Sequence, residues 1–156
     1  MIKKTLIPLM LIFCLLFLSA CGSDTKQAVN CNEAAQKVLS SQNFVEDMET
    51  MDKELIEKRL GLEYDIYADV AMILDSSSQT AEQIIFATAK NDEDLAKIKE
   101  AVEINRDYLI DLCMGYNPGE VPKLENAVYK TKGLQLAFIV SSDSEKANNT
   151  LMEIWK

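Results

Sequence analysis

The side chains able to do chemistry in this chain are 25 carboxylates, four cysteines and scattered hydroxyls; there is no histidine. That absence removes the usual general base at neutral pH, the Ser-His and Cys-His nucleophile pairs and the commonest zinc ligand. Cys14, Cys21, Cys31 and Cys113 are too widely spaced for a Cys-x-x-Cys site. Neither a phosphate-cradling glycine loop nor a Gly-x-Ser-x-Gly elbow occurs. A hydrolase built on two carboxylates remains as the catalytic alternative, and an acidic cation-binding protein as another. The acids lack the spacing of a calcium loop. No catalytic residue, metal or cofactor is therefore expected, and the reading favours a non-enzyme. Three residues stand out as contacts for a ligand or partner. Glu82 opens an apolar strand, as a site residue or as an acid solvated at the sheet rim. Arg106 sits among Val102, Leu109 and Ile110, paired to Glu103 or Glu82, laid along the core, or anchoring a ligand. Tyr116, with Asn117 and Pro118, makes an aromatic corner that receives a ligand or packs the helix end.

The N-terminus has a chemistry of its own. Lys3 and Lys4 precede an apolar run over 6–18, and Leu18-Ser19-Ala20-Cys21 closes it. A charged start, a short apolar stretch and small residues before a cut are the parts of an export signal. Thirteen apolar residues fall short of the roughly 20 that span a bilayer. The closing tetrad resembles the lipobox of bacterial lipoprotein signal peptides. The resemblance implies cleavage between Ala20 and Cys21 and a diacylglycerol thioether on Cys21, with fatty acyl chains such as palmitate holding the protein on the membrane. Residues 1–20 are then a removed signal peptide, 21–31 the lipidated cysteine and a flexible tether, and 32–156 one domain. The expected location is the extracytoplasmic side of the cell membrane.

Loss of 1–20, which carries two lysines and no acid, takes the formal charge from −9 to −11. Nucleic acid is excluded as a partner, because phosphates require a basic footprint. The acidity fits a self-repelling surface or one that recruits a basic partner or cation. Outside the cytoplasm, Cys31 and Cys113 can pair as a disulfide. Against this, Cys31 falls in the tether and Cys113 lies beside Leu109 and Leu112, where a small buried thiol suits a core.

The elements that must position these residues follow from periodicity. Asn32 is placed to cap a helix over 33–42, and Asp52 to cap another over 53–60 that Gly61 ends. The link from Phe44 to Met51 has no clear period. Two β-rich runs, 67–74 and 83–89, flank Asp75-Ser76-Ser77-Ser78 and predict a hairpin. A long helix over 92–114 begins at Asn91 and buries Leu95, Ile98, Val102, Leu109, Leu112 and Tyr116. The loop from Tyr116 to Pro122 reads as stiffened by its prolines. A second hairpin, 127–130 with 134–140, turns at Thr131-Lys132-Gly133, and its apolar second strand belongs inside the sheet. Ser142 and Glu145 form a capping box for a last helix over 143–155. The order αββαββα predicts an α+β fold, a four-stranded antiparallel sheet with helices mainly on one face.

Ala81-Glu82-Gln83-Ile84, Arg106, Tyr116-x-Pro118, Leu124-x-Asn126-Ala127, Gly133 and Val140-Ser141-Ser142-Asp143 with Ala147 resemble, in order and spacing, the domain-of-unknown-function 4358 (DUF4358) family. The likeness runs from about Met48 to Trp155. It implies a fold type and a position behind a lipobox; the family brings no catalytic residues to transfer. The functional expectation is a lipid-anchored binding or interaction module of the cell envelope, acting on an unknown envelope protein or small ligand.

Overall fold

In a computed structural model, which describes residues 28–156, the strand Gln83–Ala89 lies at the centre of a five-stranded antiparallel sheet. The described elements are α1 (Cys31–Ser41), β1 (Met48–Thr50), α2 (Lys53–Leu60), β2 (Tyr67–Asp75), β3 (Gln83–Ala89), α3 (Asp92–Tyr116), α4 (Val121–Glu125), β4 (Val128–Lys132), β5 (Gln135–Val140) and α5 (Ser144–Ile154). Strand order is β1-β2-β3-β5-β4, and both expected hairpins form. The export segment, Ala20, Cys21 and the tether as far as residue 27 lie outside the described residues.

The fifth strand corrects the expectation of four. Met48 pairs with Asp75 and Thr50 with Ile73, so the link before α2 adds an edge to β2. Three residues are too few to establish an alternation in sequence.

Helices cover both faces rather than mainly one. Along β3, Ile85 and Ala87 face a cluster with Ile56 and Leu60 of α2 and Ile98 and Val102 of α3. Ile84 and Phe86 point the other way, into Ala35 and Val38 of α1 and Leu151 of α5. The physical reason is that β3 and β5 are apolar at successive positions, and all six residues of β5 are buried. A strand buried on both sides needs a layer on each.

Helix starts follow capping chemistry, with two corrections. Asp52 accepts from Leu55 N and Asn91 from Asp94 N, as expected. The first helix is capped by Asn30, not Asn32, and the last by Asp143, which accepts from Lys146 N at 2.9 Å. Gly61 ends α2 at φ 65°.

Cys31, expected in the tether, is the first residue of α1 and fully buried. Its amide donates to Asp69 Oδ2 at 2.7 Å. Cys31 and Cys113 are both free and sit in clusters on opposite sides of the sheet. The sheet between them rules out the bridge considered above. Burial pushes the Cys31 thiol up to about 12, the Asp69 charge adding to this and the Thr88 hydrogen bond opposing it. It stays protonated and is no nucleophile.

Gln135 draws the chain's early and late parts together. Its Nε2 donates to Val29 O at 2.7 Å and to Thr88 Oγ1 at 2.9 Å, while Oε1 accepts from Trp155 Nε1 at 2.7 Å. This junction lies at the end of the sheet where β3 finishes and β5 begins.

Candidate functional site

α3 carries more apolar residues than one face can bury. Ile98, Val102, Leu109 and Cys113 go into the core. A second row at four-residue spacing, Ile104, Tyr108, Leu112 and Tyr116, stays in water, with Ile104 62% and Tyr116 71% exposed. Across from it on α2, Leu55 is 46% exposed. The expected burial of Leu112 and packing of Tyr116 at the helix end are thus corrected. Both belong to the outer row, because the helix continues through Gly115 and carries them past the sheet.

Between α2 and α3 these side chains wall a groove with two adjacent chambers. The larger, about 590 Å³, is lined by Met51, Leu55, Leu60, Ala101 and Ile104, with Lys58 at its side. The smaller, about 240 Å³, lies under the β2–β3 hairpin and is lined by Thr80, Gln83, Leu112, Cys113 and Tyr116. Arg59, Leu74 and Tyr108 border both. The larger volume lies within the range of small-molecule sites, roughly 300–1,000 Å³. Contiguous exposed apolar surface of this kind marks a binding surface more often than a lone exposed side chain does.

The hairpin side of the smaller chamber is polar. Asp75 takes four hydrogen bonds, from Ser77 N and Oγ and from Thr80 N and Oγ1, at 2.7–2.8 Å. Burial opposes the Asp75 charge, but these bonds outweigh it and hold the carboxyl below its ordinary value. Asn117, at the end of α3, donates to Gln79 O at 3.1 Å and ties the helix to the hairpin loop.

Glu82 lines the same chamber, but it is not a rim acid. It is 1% exposed, accepts from Val45 N at 2.8 Å and pairs with Lys123 Nζ at 3.1 Å. Lys123 also holds Glu120 at 3.0 Å, and Glu120 accepts from Ala81 N at 2.9 Å. The triad joins the hairpin's return strand to α4 and to the stretch before β1. Burial works against the Lys123 charge, yet the hydrogen bonds to Glu120 and Glu82 prevail and raise its affinity for the proton. Each carboxylate already holds an ammonium and a backbone N–H, so neither has the freedom of an acid–base pair.

The structure therefore brings Glu82 and Tyr116 to one chamber and leaves Arg106 apart. Arg106 bonds the neighbouring Asp107 at 2.9 Å, not Glu103 or Glu82, and lines neither chamber. Sequence reasoning missed Arg59, Gln83, Tyr108 and Lys123. The four-residue spacing from Ile104 to Tyr116 was a visible sign of a second apolar row. A glutamine opening an otherwise apolar strand was another. Nothing in the sequence pairs Lys123 with Glu82, which is 41 residues away. Among the described residues, no group of three or more His, Cys, Asp or Glu could hold a metal ion, and no helix is long and apolar enough to cross a membrane.

Among the described residues, a five-stranded antiparallel sheet with five α-helices and an open inter-helix groove defines an α+β domain with a preformed cleft. The chain belongs to the family described as domain of unknown function (DUF4358), whose model matches residues 41–141. No curated protein and no solved structure matches it.

Proposed function

We propose that the chain is a lipid-anchored, non-catalytic binding module of the cell envelope, held on the extracytoplasmic face of the membrane through Cys21. The α2–α3 groove is its binding site. The observation that carries this reading is the water-exposed apolar row of Ile104, Tyr108, Leu112 and Tyr116 beside a chamber of about 590 Å³. Keeping such surface in water costs about 25 cal/mol per Å², so an occupant that covers it gains that free energy.

The direction of the groove supports the same reading. Val29 enters at the Gln135 and Thr88 end of the sheet, whereas the smaller chamber lies at the Gln83 end. These ends are about 17 Å apart along β3, taking roughly 3.4 Å per residue. The groove is also on the face opposite α1. A domain anchored through its N-terminal side has this opening at the pole remote from the point where the anchor enters.

Two experiments test the proposal. Cys21→Ala should abolish incorporation of labelled fatty acid and leave the chain uncleaved; a labelled, processed variant would end the lipoprotein reading. A photo-crosslinking amino acid at Leu112 in intact cells should capture one discrete partner or ligand, and the same group at Lys37 on α1 should not. Identical, random neighbours from both positions would remove the groove as the site.

A further inference from the structure

We infer that the groove receives a small apolar carboxylic acid, its head in the smaller chamber and its alkyl or aryl body in the larger. The inference rests on the groove being the binding site, and three observations give the ligand its chemistry.

The first is an unused donor. Gln83 is 1% exposed and points to the same side of β3 as Ile85 and Ala87, into the α2–α3 layer. Its Oε1 accepts from Asn105 Nδ2 at 3.3 Å, whereas its Nε2 is buried with no partner among the described residues. A buried amide N–H without an acceptor is unfavourable, and an acceptor atom on a ligand would relieve it.

The second is charge. Arg59 borders both chambers and Lys58 the larger one, and neither side chain makes a hydrogen bond or ion pair among the described residues. The acids of the lining are engaged: Asp75 carries four hydrogen bonds, and Glu82 holds Lys123 and Val45 N. The uncompensated charge of the groove is therefore positive, inside a chain of net charge −9. A carboxylate offers two oxygens, one for the guanidinium and one for the Gln83 amide, and its charge strengthens both bonds.

The third is size and polarity. Leu55, Leu60, Ala101 and Ile104 give the larger chamber apolar walls suited to a hydrocarbon or aryl body. The larger chamber, about 590 Å³, has the volume of a small-molecule site, roughly 300–1,000 Å³.

The test uses the full chain in lipid nanodiscs and equilibrium dialysis with radiolabelled 4-phenylbutyrate, with empty nanodiscs as the blank. Saturable binding to one site is expected, with 4-phenylbutanol and butyrate each weaker by about tenfold or more. Arg59→Gln, an exposed change that leaves the core intact, should weaken 4-phenylbutyrate by a similar factor but not 4-phenylbutanol. Gln83→Leu should do the same, with circular dichroism checking its fold. Equal binding of acid and alcohol, or an unchanged affinity in Arg59→Gln, overturns the carboxylate while leaving the groove as a binding site. Failure of 4-phenylbutyrate to saturate by about 10 mM overturns the ligand class; the Leu112 crosslink then decides separately whether the groove binds anything. Stronger competition by an acetylated tripeptide ending in a free phenylalanine carboxylate overturns the small-molecule assignment in favour of a peptide terminus.

Discussion

Lys123 is the residue whose removal tests the buried chemistry most directly, because two carboxylates depend on its one ammonium. Lys123→Met should lower stability by about 3–5 kcal/mol at pH 7, since breaking a buried pair strands the remaining charge. Urea denaturation measures this. In the parent chain the lysine's proton affinity is raised, burial being outweighed by its two carboxylate bonds. Its contribution is then complete below the ordinary ammonium range and fades as pH rises through the higher folded value, so unfolding should ease in strong alkali. Asp75 works in the opposite sense. Its carboxyl is held low by the Ser77 and Thr80 bonds against the effect of burial, so its contribution is present above the ordinary carboxylate value and is lost as pH falls through the folded one. Thr80→Val should cost about 1 kcal/mol at pH 7 and less below the carboxylate range, as read from denaturant midpoints at each pH. Residue types were legible in the sequence at this scale, but environments were not. Glu82 stands out in the sequence, but its burial does not, because its lysine arrives from an element that only the fold brings near.

Elements were legible wherever one period dominates. β3 has the predicted bounds, and α2 begins and ends where Asp52 and Gly61 place it. Gly61 has no neighbour within 4 Å of where a Cβ would sit, but its φ of 65° belongs to the left-handed region. Gly61→Ala should therefore cost about 1 kcal/mol through the backbone alone, seen as a lower thermal midpoint. α3 was harder to read because it carries two apolar rows, and a single-face template merges them. Spacing from Leu109 points Leu112 and Tyr116 to the core, whereas Cys113 takes the buried place. β1 was invisible because a three-residue edge strand is defined by its partner β2 and not by any pattern of its own.

At the scale of the molecule, the fold class and both hairpins were legible, and the second helical layer was not. The information was present in the unbroken apolar runs of β3 and β5, which require cover on both sides. α1 and α5 supply the cover for Ile84, Phe86, Ala137 and Ile139, and both lie largely outside the family match at 41–141. A chain trimmed to 41–141 should fail to fold cooperatively, whereas one spanning 28–156 should unfold in a single thermal transition; calorimetry of the two distinguishes them. Phe86, fully buried on that side, should cost about 3–5 kcal/mol on replacement by alanine. The Gln135 amide, which holds Val29 on one atom and Trp155 on another, carries a practical consequence. Both ends of the described chain meet at one pole of the domain, so a fluorescent protein appended after Lys156 would emerge at the pole of the proposed lipid anchor and leave the opposite pole, with the proposed binding groove, clear.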